Sequence, residues 1–359
     1  MSAAGRLRVL DAADGEEREA WLAAWTEWEG REVFAHPAFV QLFAQPGDRA
    51  LCAVLDEMDA PGAILHPFLL RDLARQPYAA AALPATDVVS PYGYGGPYAW
   101  GAGREPAAAP GFWDALDQWS ADHAVVAEFI RFPLLDPTGE SYPGDRSERQ
   151  LNVVRSLEPE GGALWMDFEH KVRKNVNKAR RSGVTVVADT TAERLDDFVR
   201  IYHQTMSRRE AGQGYYFSRS FFETINTQLA GQWCYFHALL DGRVVSTELV
   251  LVSAENVYSF LGGTDHEAFD SRPNDLLKFE VMEWARGQGK KRFVLGGGYQ
   301  PGDGIFRYKL AFAPGGTVPF FAGTRVLREN AYEALVRGRA ALEGVDWAPA
   351  EGYFPAYRG

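Results

Sequence analysis

The sequence predicts an α/β protein with α+β layers, built from two domains that each contain a mixed β-sheet flanked by helices. Three observations lead to this prediction. The chain has 359 residues, more than one hydrophobic core usually accommodates. The same order of predicted elements occurs twice, and a Pro-, Gly- and Ser-rich charged segment at residues 136–148 separates the two occurrences. We therefore place an N-terminal domain at residues 1–150, a second domain at 151–330, and a C-terminal helix and tail at 331–359.

The repeated order is built around a hairpin. In each half, a short predicted helix is followed by a cysteine, Cys52 or Cys234, that opens an apolar strand. That strand runs into a turn, at residues 59–62 or 241–242, and then into a second strand. A glycine-rich aromatic stretch, a helix and a buried strand follow in both halves. This order is typical of helices layered on a mixed sheet.

The second of these later helices is predicted at residues 275–286. Leu277, Val281 and Trp284 recur at helical spacing, so that one apolar face meets the sheet. Asn274 is the expected N-cap, because a short polar side chain there can accept from the first free backbone amides.

Composition narrows the class of protein. Hydrophobic residues make up 46% of the chain and aromatic residues 13%, which is typical of a folded core. Two cysteines and seven scattered histidines favour a reducing compartment without a metal site. The net charge of −11 argues against DNA binding, although a local basic patch remains compatible with it. No apolar run is long enough for a membrane span or a signal peptide, so we expect a cytoplasmic protein.

A basic run lies between the two repeats, on a helix predicted at residues 165–182. Residues 171–181 carry six positive charges, including Arg173 and Lys174, and no acid. A charged helix face is usually just solvated. Here the absence of acids at the i+4 positions favours an anionic ligand, either phosphate groups or nucleic acid.

A second candidate binding segment follows the next predicted helix. Arg208 and Arg209 precede a glycine-rich turn and the pair Tyr215-Tyr216. The spacing of Arg209, Gly212 and Gly214 matches the pyrophosphate loop of acetyl-CoA-dependent enzymes, but such a loop should follow a strand and open a helix. We interpret the segment as an acceptor-binding loop, or as a loop whose aromatic residues serve the core.

The strongest candidate site begins where a buried strand ends in Gly296-Gly297-Gly298-Tyr299, shortly before Asp303. Consecutive glycines let the backbone approach a ligand closely. An ordinary turn does not need three of them, so this loop is interpreted as part of a binding site.

Two ionisable residues are the candidates for chemistry. Lys309 lies in an apolar-aromatic stretch that we interpret as a strand, where its ammonium group could stabilise an oxyanion or simply reach solvent. Glu248 lies in a strand, on the same face as Val250 and Val252. It is either a buried general base with a raised pKa or a surface carboxylate at a strand edge.

Four segments taken together resemble the FemA/FemB/FemX superfamily. They are SPYGYGGP, VRKNVNKARRSGV, RPNDLLKFEVMEWARGQGKKRFVLGGG and DGIFRYKLAF, and the resemblance extends over residues 34–321. It implies two tandem GNAT (acetyltransferase-fold) domains, with the chemistry in the second. The long coiled-coil arm of some members is absent from this sequence, which places the chain nearer the smaller FemX-like members.

The resemblance also implies an activity and site residues. Family members transfer an amino acid from aminoacyl-tRNA to an amine of a peptidoglycan precursor, and relatives act on peptide antibiotics. Tyr308-Lys309 resembles the aromatic–lysine pair tied to the transferred acyl group. The resemblance makes Arg173, Lys174, Arg208 and Arg209 candidates for contacts with the phosphates of the acceptor or with the tRNA.

Three functions remain open. The first is aminoacyl transfer from tRNA to a small-molecule or peptide amine, including a nucleotide-linked one, with Lys309 stabilising the oxyanion. Glu248, Asp303 or the substrate itself would then take the proton. The second is acyl transfer from acetyl-CoA or another acyl-CoA to an amine such as an amino sugar. The third is a non-catalytic module that binds a nucleotide-sugar. None of them requires a bound cofactor or a metal.

Overall fold

A computed structural model describes residues 5–56, 60–106, 108–158, 161–300, 302–344 and 347–359. The chain divides into two compact units, residues 1–149 with 320–359 and residues 150–319. The boundary near residue 150 agrees with the sequence-based division. Residues 320–330, which we predicted to lie in the second domain, and 331–359, predicted as a separate helix and tail, belong to the first unit instead. Asp59 in the first predicted turn and Pro301 in the glycine-rich loop lie outside the described residues.

The first 144 residues supply most of unit 1. Their helices and strands are, in chain order, β1 (Arg6–Asp11), α1 (Gly15–Glu27), α2 (Pro37–Leu42), β2 (Arg49–Asp56), β3 (Gly62–Asp72), β4 (Thr86–Val89), β5 (Tyr98–Gly101), α3 (Ala108–Asp122) and β6 (Val125–Arg131).

Unit 2 follows without a break. Its elements are β7 (Asp145–Ser156, which starts in unit 1), α4 (Gly161–Asp167), α5 (His170–Arg181), β8 (Thr185–Asp189), α6 (Leu195–Arg208), α7 (Arg219–Gln228), β9 (Trp233–Leu240), β10 (Arg243–Val252), β11 (Asn256–Thr264), α8 (Pro273–Gly287), β12 (Arg292–Gly296) and α9 (Gly304–Leu310). The chain returns to unit 1 within β13 (Thr317–Val326) and ends after α10 (Glu329–Glu343).

Each unit contains a mixed sheet. In unit 1 the strand order is β1-β2-β3-β4-β6-β13, with β5 also paired to β3, and the β4–β6 pair is parallel. In unit 2 the order is β7-β12-β11-β10-β9-β8, and the β11–β12 pair is parallel. The two predicted hairpins are present, since Cys52 pairs with Pro67 and Cys234 with Val250 in antiparallel register. The predicted α/β class with helix-flanked mixed sheets is confirmed.

The core of unit 2 explains how its helices are placed. Val172, Val176 and Ala179 of α5 are at most 1% exposed and pack in one cluster with Leu277 and Val281 of α8. The helix predicted at 165–182 is in fact two helices. The chain turns at Glu169, and the Arg173 guanidinium hydrogen-bonds the carbonyls of Met166 and Phe168, which α4 leaves free.

Candidate active site

Lys309 lies on a helix and not on a strand, which corrects the sequence-based interpretation. The helix α9 begins at Gly304 because the Asp303 carboxylate accepts from the Phe306 amide, at 2.7 Å. The same carboxylate accepts from the amides of Tyr299 (2.7 Å) and Gln300 (3.1 Å). These hydrogen bonds, led by the one from Phe306, keep the pKa of Asp303 below its usual value. Asp303 therefore shapes the glycine-rich loop and is a weak base.

The glycine-rich loop is brought together with Lys309, as the sequence predicted. Gly296 has a φ of +80°, a conformation that side chains disfavour. A Cβ on Gly298 would lie 2.5 Å from Asp303 Oδ1, so this position also requires glycine. The carbonyl of Gly297 accepts a hydrogen bond from Lys309 Nζ at 2.6 Å. Tyr299, at the tip of the loop, is 82% exposed.

The environment of Lys309 lowers the pKa of its ammonium group. Burial lowers the pKa of Lys309 to about 8, and the nearby Lys278 adds to this effect. The negative charges of Glu248 and Asp303 act in the opposite direction. A lysine with this pKa is mostly cationic at pH 7. It can donate a hydrogen bond to an oxyanion, and it can exchange a proton near neutral pH.

Tyr308 is anchored from the neighbouring helix. Its hydroxyl accepts a hydrogen bond from Asn274 Nδ2 at 2.8 Å, and its ring packs edge-on against Phe312. Burial, with the negative charges of Asp275 and Glu248, raises the pKa of Tyr308 well above its usual value. The side chain therefore stays a neutral phenol that fixes the orientation of α9.

Asn274 is not the N-cap of α8, contrary to the sequence-based expectation. The helix starts with Pro273 at its first position, and Arg272 precedes it in the left-handed region, with a φ of +57°. This start frees the Asn274 amide to reach Tyr308. Asp275 accepts from Asn175 of α5 at 3.1 Å, and burial raises its pKa.

Glu248 is buried, at 3% exposure, and pairs with Lys278 of α8. Lys278 also donates to Ser259 Oγ at 2.7 Å. Among the described residues, no hydrogen-bond donor reaches the second carboxylate oxygen of Glu248. Glu248 is therefore a buried carboxylate with one oxygen unpaired, and not the surface residue of the alternative interpretation.

Lys278 and Ser259 were missed at the sequence level. A signal for Lys278 was present, because it shares a helix face with Asn274, Val281 and Ala285, where an unpaired lysine is costly. Ser259 carried no comparable signal. It reaches Lys278 because β10 and β11 pair antiparallel in this register.

The two predicted ligand contacts on the basic helix α5 lie in different environments. Arg173 is engaged with the carbonyls of Met166 and Phe168. Lys174 is exposed, and no carboxylate of the described residues pairs with it. Of these two predicted ligand contacts, only Lys174 is thus available to a ligand.

The segment after α6 is held by its own neighbours. The Arg208 guanidinium lies 5.1 Å from the Phe269 ring centre, and the exposed Arg209 follows as the C-cap of the helix. The Tyr215 carbonyl accepts from Tyr202, and the Tyr216 hydroxyl lies 3.5 Å from Ser207. These contacts do not involve Lys309, so the segment remains a separate candidate for acceptor binding.

A small pocket opens beside the glycine-rich loop. Its lining residues are Gln150, Leu151, Gly298, Gln300, Gly302 and Phe306. Phe306 lies one helical turn before Lys309, and Gly298 follows the carbonyl that Lys309 contacts. Lys309 itself is not among the lining residues, and its ammonium group contacts the loop that contributes Gly298 to the pocket.

In the described part of the chain, no helix combines the length and the apolar composition of a membrane span. Within the same residues, no three His, Cys, Asp or Glu side chains are grouped as metal ligands would be.

The fold is similar to a known family model and to several solved structures. Residues 166–310 match the family model described as an acetyltransferase (GNAT) domain. The crystal structure of FemX is 14% identical and superposes with a TM-score of 0.68, over 88% of this chain and 97% of that one. L-PGS from Bacillus licheniformis is 14% identical, with a TM-score of 0.55, over 94% of this chain and 99% of that one.

A third structure has the same arrangement. It is the C-terminal domain of a putative lysylphosphatidylglycerol synthetase from Agrobacterium fabrum, which is 13% identical with a TM-score of 0.52, over 92% of this chain and all of that one. No curated protein matches the chain significantly. The predicted FemABX-like fold is confirmed: the chain shares the fold of FemX, and residues 166–310 of its second unit match the acetyltransferase (GNAT) domain model.

Proposed function

We propose that the protein transfers an aminoacyl group from aminoacyl-tRNA to an amine of a peptidoglycan-precursor or peptide-antibiotic acceptor. The observation that carries this proposal is the partly buried Lys309 ammonium, held by the carbonyl of Gly297 in the glycine-rich loop, whose Gly298 and Gln300 line the pocket. The similarity of the fold to FemX supports the aminoacyl donor.

The reaction needs few groups from the protein. The acceptor amine attacks the ester carbonyl, a C–N bond forms, and the C–O bond to the ribose breaks. Lys309 donates to the oxygen on which negative charge develops, and Tyr308 holds α9 in place through Asn274. Asp303 is occupied by backbone amides, and Glu248 is paired with Lys278. These contacts favour transfer of the amine proton to the departing ribose oxygen, that is, to the substrate itself.

The two strand-to-helix junctions near the site disfavour an acyl-CoA donor. A helix start binds pyrophosphate through free backbone amides. At α8 that position holds Pro273, which has no N–H, and the Asp275 carboxylate in the first turn. At α9 the Asp303 carboxylate already occupies the amides. Each junction therefore presents a negative charge where a pyrophosphate would need donors.

Acyl transfer from acyl-CoA is the second candidate function, because the matching family model describes an acetyltransferase domain. One experiment distinguishes the two candidate functions. Purified protein is incubated with hydroxylamine as a general amine acceptor and either radiolabelled aminoacyl-tRNA or acetyl-CoA. We expect enzyme-dependent hydroxamate from aminoacyl-tRNA that disappears after RNase treatment. Product from acetyl-CoA alone would overturn the proposal in favour of the second candidate.

The role of Lys309 gives the first prediction. Lys309→Met removes the ammonium group and keeps the side-chain length, so turnover should fall at least about 10²-fold. The measurement is the rate of amide formation, together with a thermal melt that shows whether the fold is kept. Arg307→Met is the matched control, because Arg307 is an exposed cation on the same helix. Equal rates for the two variants would remove Lys309 from the mechanism.

A further inference from the structure

The cations of α5 fall into two groups that the sequence does not distinguish. Three of them are engaged by the protein itself. Lys171 lies 3.2 Å from Glu169, Arg180 lies 3.1 Å from Glu280, and Arg173 binds backbone carbonyls.

The other three, Lys174, Lys178 and Arg181, have no carboxylate partner within the described ranges of the chain, and we call them the basic stripe. Lys174 and Arg181 are exposed, and Lys178 is half-buried.

The basic stripe forms a continuous line of charge. Its members are spaced at i, i+4 and i+7, so they share one face of the helix. They span about 10 Å along the axis, which is close to the rise of three nucleotides along one strand. Like charges at these spacings repel one another. Arg181 and Lys178 gain some compensation from the helix C-terminus, but Lys174, in the middle of the helix, does not.

The position of α5 connects the basic stripe to the active site. Asn175, next to Lys174, donates to Asp275 at the start of α8. The preceding residue, Asn274, donates to the hydroxyl of Tyr308, which adjoins Lys309. The helix that carries the stripe thus packs directly on the helix start that anchors the catalytic segment.

The apolar residues of α5 decide between two polyanionic partners. A helix that lies on an anionic membrane inserts apolar side chains beside its basic face. Those of α5, Val172, Val176 and Ala179, are at most 1% exposed and belong to the core of unit 2. The stripe therefore offers charge without an apolar anchor, which suits a sugar–phosphate backbone better than a lipid surface.

We propose that Lys174, Lys178 and Arg181 form the docking surface for the backbone of the RNA that carries the aminoacyl group. This inference rests on the proposed function and assigns the donor a specific surface on α5. The stripe acts through phosphate contacts and carries no sequence preference of its own.

The test compares two triple variants that remove the same charge. K174Q/K178Q/R181Q removes the basic stripe. K171Q/K291Q/R337Q removes three exposed cations that are already paired, with Glu169, Glu255 and Glu333. Binding of deacylated tRNA is measured by fluorescence anisotropy over a series of salt concentrations. Binding of vesicles of phosphatidylglycerol and phosphatidylcholine is measured in parallel.

We expect the stripe variant to bind tRNA at least about tenfold more weakly at low salt, with a slope of log K against log salt that is smaller by about 2. The paired-cation variant should match the parent. With aminoacyl-tRNA as donor, the stripe variant should raise KM more than it lowers kcat. The milder Lys174→Gln variant should lower the slope by slightly less than 1.

Three results would overturn the inference. Equal tRNA affinities and salt slopes for the two triple variants would show that the RNA binds elsewhere, while leaving the proposed function intact. Loss of vesicle binding with unchanged tRNA binding would assign the stripe to a membrane. A parent protein that neither binds tRNA nor uses aminoacyl-tRNA would remove the proposed function itself.

Discussion

The two units bury charged groups in different ways. In unit 1, Asp87 is fully buried and both of its oxygens are engaged, by Arg71 at 2.6 Å, by Arg358 at 2.6 and 3.1 Å and by the Tyr357 hydroxyl at 3.0 Å. In unit 2, one oxygen of Glu248 lacks a donor among the described residues, and Lys309 is held by a backbone carbonyl.

The difference separates a cluster in which every charge is matched from one in which an acceptor is left over among the described residues. The Asp87 cluster is closed, since its charges and hydrogen bonds are matched within the protein, and it ties the end of the chain to the sheet of unit 1. The cluster around Lys309 has capacity left for a substrate, and its lysine has a perturbed pKa. The Asp87 cluster thus contributes to stability, and the cluster around Lys309 is the one for which we propose a role in chemistry.

The largest loss of stability is expected from removing the shared carboxylate of the Asp87 cluster. Asp87→Ala leaves Arg71 and Arg358 beside each other without their shared carboxylate, and should lower the free energy of unfolding by about 5 kcal/mol. Urea denaturation followed by circular dichroism measures it. The exposed pair Arg337–Glu333 is the control, and Glu333→Ala should cost less than about 1 kcal/mol. Similar losses for both variants would mean that the Asp87 cluster is not a special source of stability.

The next largest effect is expected from breaking the buried Glu248–Lys278 pair. Lys278→Met leaves a buried carboxylate without its cation and should cost about 3–4 kcal/mol in the free energy of unfolding. In the double variant Glu248→Gln/Lys278→Met the charge is gone, so most of that loss should be recovered. A double-mutant cycle in urea gives the coupling energy. Additive effects would show that the two side chains do not depend on each other.

The smallest effect concerns the pH dependence of the reaction. With a pKa of about 8, Lys309 is mostly protonated at pH 7 and mostly neutral at pH 9. If the cation stabilises the oxyanion, the enzymatic rate should fall about tenfold over this range. Hydroxylamine suits the measurement because it is already a neutral amine at pH 7, and uncatalysed ester cleavage is subtracted at each pH. A rate that rises through pH 8 would instead assign Lys309 the role of a base.

Much of the fold was readable from local sequence. Alternating apolar runs around turns predicted both hairpins, and apolar spacing predicted α5 and α8, because both patterns depend on which side chains must leave water. The helical state of the segment around Lys309 was missed. That helix has only seven residues and depends on the Asp303 cap, which outweighs the aromatic composition that favours a strand.

The site could be predicted only in part, and the reason lies in distance along the chain. The glycine-rich loop and Lys309 are close in sequence, so their meeting was foreseeable. The contacts of Glu248 with Lys278 and of Asn274 with Tyr308 join residues 30 and 34 positions apart, and depend on how α8 and α9 pack on the sheet.

By itself, the sequence determined the class of fold, the duplicated order of elements and the residues that could carry charge into a site. Only the tertiary structure decided which of those charges are already neutralised. In the folded chain, residues 320–359 belong to the first unit, and Arg358 forms an ion pair with Asp87, 271 positions away. On α5, Arg173 binds backbone carbonyls, and Lys174 has no carboxylate partner among the described residues. The physical reason is that the cost of a charge depends on its burial and its partners in space, and neither is encoded at any single position.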